Sequence, residues 1–361
     1  MVQANNNGDV LELPRQFDGL RGGGGIYRST HSECVDFADI SSIKSLMAAW
    51  AKFARGKKAR ADVAEYQKCL RQNVRGLRAA LQTGRYQHGT YQRFTICDPK
   101  MRQIHKATVR DRLVHQAVVS AIEPMFEKRF IHDSYSCRQG KGTHAGVERL
   151  AKFLLRESRN NTRKVYVLKC DVRQFFASID HEILMERLAT RLDDVRVLEL
   201  LRGILLSHGA ETGRGIPLGN VTSQLFANVY LHELDWFVKQ TLGVQRYIRY
   251  CDDFVIVSHD RDYLVSLIAP IKVFLQEELK LELHPHKVTI RSWAQGIDFL
   301  GFVLRPHATT LRTKTKQRML ARVAKQNLSS YMGICSHANA YRLGQVAQLV
   351  AWQRELLSEA P

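Results

Sequence analysis

Two adjacent aspartates, Asp252 and Asp253, lie between two β-rich runs, Arg246 to Tyr250 and Phe254 to Val257. β-Branched and aromatic residues on both sides of a turn-favouring pair predict a hairpin with both carboxylates at its tip. Neighbouring carboxylates repel, so without a partner one of them would carry a raised pKa; a divalent cation with oxygen ligands relieves the pair. The alternative is a solvated turn, where Asp is common. A third acid decides between them. Apolar Val165, Val167 and Leu168 form a short buried strand that ends at Asp171, which places a carboxylate at the carboxyl end of a sheet strand. Three converging acids suit two Mg²⁺ ions about 3.5–4 Å apart, one lowering the pKa of an attacking hydroxyl and the other stabilising a leaving pyrophosphate.

The composition agrees with a polyanionic partner. The formal net charge is +19 and the pI about 9.8, which points to nucleic acid first and an anionic membrane second. At 361 residues and 45% hydrophobic content the chain can bury a sizeable core shared among two or three subdomains. Its seven cysteines are scattered, odd in number and without a Cys-x-x-Cys pair, which argues against a zinc site or a disulfide framework and for a reducing cytosol. No apolar run approaches the roughly 18 residues needed to span a bilayer, and no signal-peptide pattern opens the sequence.

Tyr250-Cys251-Asp252-Asp253 resembles the Tyr-x-Asp-Asp box of reverse transcriptases, and Asp171 followed by Phe176 resembles that family's first palm motif. Between them, Arg214-Gly215-Ile216-Pro217-Leu218-Gly219-Asn220-Val221-Thr222-Ser223-Gln224 is similar to the central motif, usually Gln-Gly-x-x-x-Ser-Pro. Leu218 before the glycine and Gln224 after the serine depart from it, and this departure resembles the reverse transcriptases of diversity-generating retroelements. The resemblance runs from about Phe94 to His337 with the motifs in family order.

It implies an α+β right-hand fingers–palm–thumb polymerase with a ferredoxin-like palm and a helical thumb. We expect a flexible arm over 1–40, where Asn5 to Asn7 and Gly22 to Gly25 are too flexible to pack. Fingers with some palm follow over 41–142, palm over 143–304 and thumb over 305–361. Helical spacing from Asp62 to Thr83 predicts one finger helix. Tyr91 to Thr108 alternates like a two-stranded ribbon turning at Asp98-Pro99. In the family such a ribbon folds over the triphosphate, and Lys100 and Arg102 match; a point charge and a bidentate fork both suit phosphate oxygens. Asp193 and Asp194 read as charges at a helix start rather than as ligands.

The resemblance further implies roles for single residues. Asp171, Asp252 and Asp253 hold two Mg²⁺ ions, with Mn²⁺ as an alternative and the Val172 carbonyl as a further ligand. Phe176 lies under the sugar and blocks a 2′-hydroxyl, with a buried core Phe as the alternative; Gln224 sits near the nascent pair or the template strand; and Lys287 matches a lysine that donates a proton to pyrophosphate, with a plain salt bridge as the alternative. Arg138, Lys141, Gly219, Gly301, Arg312 and Lys316 are the template and primer candidates, Arg112 is either structural or template-facing, and Thr143 can cap the palm helix. A basic thumb grips an RNA–DNA hybrid through its phosphates.

The expected function is RNA-directed DNA synthesis from dNTPs on a template RNA, error-prone at template adenines through Leu218 and Gln224, for targeted gene diversification. A small basic helical accessory protein is the expected partner, no membrane is involved, and the expected setting is the cytoplasm of a bacterium or of a phage host. The rivals are a reverse transcriptase of phage-defence, retron or group II intron lineage, and a catalytically silent RNA-binding scaffold.

Overall fold

The computed structural model describes residues 35–97 and 101–359. Most of the expected arm, with its Gly22 to Gly25 run, therefore lies outside the described residues, as do Asp98, Pro99 and Lys100. The arm's expected last residues belong to the folded core: Phe37 and Ile40, on the helix Phe37–Ser41, are buried.

The organising element is a four-stranded antiparallel sheet. The fingers ribbon supplies β1 (Gln92–Cys97) and β2 (Met101–Lys106); the central sheet is built from β3 (Tyr166–Asp171), β4 (Tyr247–Tyr250), β5 (Asp253–Ser258) and β6 (Thr289–Ser292) in the order β4-β5-β3-β6. The helix Val221–Trp236 connects β3 to β4, and Arg261–Ser266 with Ile268–Glu278 connects β5 to β6. Strand, helix, hairpin, helix, strand in this order is the split βαβ arrangement of a ferredoxin-like palm.

Period-two alternation gives this sheet two buried faces. Leu168, Cys170, Tyr247, Phe254 and Ile256 pack with the helices of the fingers and palm. Val165, Val167, Ile248, Val255 and Val257 pack instead with Trp293, Phe299, Leu311 and Met319. Trp293 belongs to the 3-10 turn Trp293–Gln295; the others come from a second, three-stranded sheet, β7 (Ile297–Phe299), β8 (Phe302–Arg305) and β9 (Ala308–Leu311), and from the helix Thr313–Arg322. Leu300 and Gly301 join β7 to β8, both at positive φ (+51° and +90°), the conformation a two-residue hairpin loop with right-handed strand twist requires.

Two local expectations change. The finger helix from Asp62 is broken at Cys69 into Ala61–Lys68 and Leu70–Gln82. The cap of Thr143–Glu157 is Gly142 at φ +132°, so Thr143 is its first helical residue. The helical stretch after β5 is interrupted at Leu267, and Pro270 lies in the first turn of Ile268–Glu278, where its missing N–H has no intrahelical bond to lose.

Asp194 acts where the sequence placed it. Its Oδ1 accepts from the N–H groups of Arg196 and Val197 at the start of Val195–Leu206, and its Oδ2 accepts from the Phe37 N–H at 2.7 Å. One side chain thus caps a helix and anchors the first described helix. Asp194→Ala is expected to lower unfolding free energy by about 1–2 kcal/mol, read from urea denaturation, while primer extension stays at the wild-type rate.

Candidate active site at the end of the central sheet

Register brings the acids together. Asp171, the last residue of β3, pairs directly with Asp253, the first of β5. Opposed residues of an antiparallel pair have Cα atoms about 4.5–5.5 Å apart and project to the same face. Parity puts both on the face shared with Val167 and Val255, toward the three-stranded sheet. The β4–β5 loop is only Cys251-Asp252, because Tyr250 pairs with Asp253. Cys251 takes φ +57° to close it, and the Asp252 carbonyl accepts from the Val172 N–H at 3.2 Å. Asp252 is therefore at the tip, and Asp253 one step down the strand.

The electrostatics follow from this crowding. Burial, reinforced by the Asp171 charge, raises the Asp252 pKa. Burial pushes Asp253 up to about 6, with Lys169 pulling the other way and the two acids adding to the rise. Lys169 Nζ lies 3.0 Å from Asp253 Oδ2 and also donates to the Asp298 carbonyl of β7. Lys287 Nζ donates to Asp171 Oδ1 at 2.7 Å. Asp253 Oδ1 is buried with no hydrogen-bond partner.

These donors fit a hard divalent cation. Among the described residues no three Asp, Glu, His or Cys side chains form a closed cage, but Mg²⁺ is usually held by one or two carboxylates together with water and substrate phosphates. The orphaned Asp253 oxygen, beside Asp171 and Asp252, is the kind of ligand such an ion takes.

The other nucleotide candidates lie on the segments that follow β3 and on the ribbon. Phe176 is half-buried and packs edge-on against Phe175, 5.3 Å between ring centroids. The Phe176 carbonyl accepts from the Ile216 N–H, which ties it to the loop before Leu218. Gly219, at φ +108°, abuts the ribbon: a Cβ there would stand 2.9 Å from Ile104 Cγ2. The loop also binds the ribbon through its backbone. The His105 N–H donates to the Leu218 carbonyl, and Asn220 Nδ2 donates to the His105 carbonyl. Register places Arg102 on the Ile104 face of β2, the face turned toward Gly219. Gln224 is exposed in the first turn of Val221–Trp236, while Leu218 is half-buried.

Several template candidates are engaged internally, which corrects the sequence reading. Arg138 is a structural clamp: its side chain is 5% exposed, it grips both Glu127 oxygens, and Nη1 donates to the Ile131 and Ser134 carbonyls. A guanidinium so consumed has little left for a phosphate. Arg112 pairs with Asp62 and covers the Phe53 ring; burial works to raise the Asp62 pKa, but hydrogen bonds from Lys106 and Arg112 bring it to about 2. Lys141 donates to the His132 carbonyl at 2.6 Å and sits over Tyr135. Arg312 pairs with Asp298, and its N–H holds the Gly301 carbonyl. Lys316 follows one turn later on Thr313–Arg322.

Two features were missed. Lys169 shares a strand face with Asp171, a spacing of two that could have marked it. Arg249 is a charge inside an apolar strand, and it is fully buried against Asp235.

The profile of the family described as reverse transcriptase (RNA-dependent DNA polymerase) matches residues 97–304. Protein YkfC of Escherichia coli (strain K12) is 28% identical over 265 residues, covering 62% of this chain and 69% of that protein. The group II intron-encoded protein LtrA of Lactococcus lactis subsp. cremoris is 25% identical over 274 residues, covering 57% of this chain and 45% of LtrA. The telomerase of Candida albicans, solved in complex with a fragment of telomeric RNA, shares the fold at a TM-score of 0.50 and 13% identity, over 77% of this chain and 57% of that one. No helix among the described residues is long and apolar enough to cross a membrane.

The raised Asp253 pKa has a stability consequence of definite sign. The folded state holds that proton more tightly than the unfolded chain, so ionising Asp253 costs stability as pH rises from about 4 through about 6, and none below. In EDTA, Asp253→Asn should gain on the order of 1–2 kcal/mol over wild type at pH 7.5, and lose that advantage at pH 4. Thermal unfolding across this range measures it.

Proposed function

The chain belongs to the reverse transcriptase family, and from that premise we propose that it copies template RNA into DNA, extending a primer with dNTPs and Mg²⁺. The observation that carries this reading is the register pairing of Asp171 with Asp253, with Asp252 at the adjoining turn. Asp171, Asp252 and Asp253 would hold the ions, together with the Val172 carbonyl, and Mn²⁺ would serve as a substitute. A bound ion supplies charge neutralisation for the phosphates and lowers the pKa of the primer hydroxyl.

The chain's own residues do the rest. Lys287, already donating to Asp171, has the ammonium proton that a leaving pyrophosphate needs. Arg102, with Lys100 just before it in the ribbon, supplies phosphate contacts. The Phe176 ring excludes the 2′-hydroxyl of a ribonucleotide by its bulk. Gly219 keeps the ribbon and the central loop in contact, Gly301 closes the hairpin that would lie along the primer, and Lys316 begins the basic thumb surface for the RNA–DNA hybrid. Asp171→Ala or Asp252→Asn is expected to abolish extension of a DNA primer on RNA while filter-binding affinity for RNA stays within about twofold, because ligation and phosphate neutralisation are separate contributions. Residual extension comparable to wild type in either variant, with Mg²⁺ present, would sink the assignment.

Leu218 and Gln224 carry a finer proposal. Both depart from Gln-Gly-x-x-x-Ser-Pro, and both lie on the loop and helix start that the fingers ribbon contacts. We assign the chain to the diversity-generating type, which misincorporates opposite template adenines and works with a small basic helical accessory protein. A group II intron lineage is the second reading, favoured by the likeness to LtrA. Low fidelity needs a loss of only about 1–3 kcal/mol of discrimination, a factor of about 10–200. Leu218→Gln with Gln224→Pro should raise fidelity at adenines without ending synthesis, read as errors per template base in sequenced cDNA. Equal error rates at all four bases in the wild type would leave the second reading in place.

A further inference from the structure

Arg249 is the largest fully buried side chain of the described residues, and the acid chemistry above makes no use of it. It lies on β4 two residues before the turn, on the sheet face opposite the acids, beside Tyr247. Its Nε donates to Asp235 Oδ1 at 2.7 Å and its Nη2 to Asp235 Oδ2 at 2.6 Å, a bidentate pair with both side chains 0% exposed. Nη1 then reaches forward to the Cys251 carbonyl at 3.2 Å and sideways to Asn228 Oδ1 at 3.3 Å. Asp235 also accepts from the Tyr247 hydroxyl, and Asn228 donates to the Ser136 carbonyl. Asp235 and Asn228 both belong to Val221–Trp236, the helix that begins beside Gln224.

We propose that Arg249 is a positioning residue for the metal-binding turn, fixing the Cys251 carbonyl, and with it Asp252 and Asp253, to the central-motif helix through Asp235 and Asn228. This rests on the polymerase reading. Cys251 is a non-glycine residue at φ +57°, a conformation that persists only where the surroundings over-determine it. A donor aimed at its carbonyl from a rigid, fully paired guanidinium supplies that constraint. Stability alone does not explain the pair, because a buried ion pair is often replaceable by apolar residues of similar volume without loss. Burial opposes the guanidinium's charge, and the Asp235 carboxylate's charge and hydrogen bonds hold its pKa above the ordinary value. The clamp therefore stays charged at every pH at which the protein is folded. Because the same helix carries Gln224 at one end and Asp235 at the other, the turn and the nascent-pair loop share one rigid support.

The test separates position from stability. Arg249→Lys keeps a charge for Asp235 but lacks the planar fork that reaches Cys251. It should weaken Mn²⁺ binding, measured by calorimetry without nucleotide, and lower kcat by about 10–100-fold, as loss of an outer partner of a ligand does. KM for dNTP and affinity for RNA should stay at wild-type values. The paired variant Asp235→Leu with Arg249→Met removes both charges; it should regain the Tm lost in Arg249→Met alone yet keep the weak Mn²⁺ binding and low kcat. Recovery of Mn²⁺ binding along with Tm, or a wild-type Arg249→Lys, overturns the proposal. Failure of the wild type to extend any primer would remove the polymerase reading instead, and the calorimetry would still judge Arg249.

Discussion

Two like charges face each other across the end of the central sheet, and much of the surrounding structure answers that repulsion. Directly opposed carboxylates destabilise an antiparallel pair, so the register that brings Asp171 and Asp253 together has to be enforced elsewhere. The apolar pattern enforces it. Leu168 and Cys170 face one core, and Val165 and Val167 the other; a slip of one residue would exchange the two sets and turn every side chain of β3 over. Both faces are buried, so the slip is costly in either direction. The lysines offset part of what remains, Lys287 at Asp171 and Lys169 at Asp253.

The two faces of the sheet then serve different ends. The acids share a face with the three-stranded sheet, and Lys169 links Asp253 to the β7 backbone. The support lies on the other face, where Arg249, Asp235 and Asn228 join the turn to the helix Val221–Trp236. A hairpin tip is ordinarily a mobile place. Here it is held from behind by a buried network, the arrangement in which a site's groups keep their geometry under load.

What could be read from the sequence was whatever depends on near neighbours along the chain. The Asp252-Asp253 hairpin, the strand ending at Asp171, the ribbon and the Asp194 cap are set by spacing within a few residues, and all are present. Ion pairs are different, because their partners are distant in sequence and any basic residue has many possible acids. Arg138 looked like a phosphate ligand until Glu127 was seen to occupy it. For Arg112 the sequence leaves a structural and a template-facing role open, and Asp62 selects the first. Arg249 hid inside a run that reads as a strand, since alternation shows which face a residue takes but not what waits there.

The same distinction limits how many of the 54 lysines and arginines can meet a phosphate. Nonspecific affinity for nucleic acid grows with the number of phosphates neutralised, each releasing counterions, and that number sets the slope of affinity against salt. A guanidinium already bound to a carboxylate contributes little, because meeting a phosphate would first mean giving up a paired and partly desolvated contact. Arg138, Arg112 and Arg249 are in that position, as are Arg163 and Arg246 around the buried Glu157. These pairs already cancel within the net figure of +19; what they reduce is the number, out of 54 lysines and arginines, whose head groups can meet a phosphate. The grip on a duplex has to be sought in the basic residues whose head groups reach solvent, beginning with the fingers ribbon and the thumb.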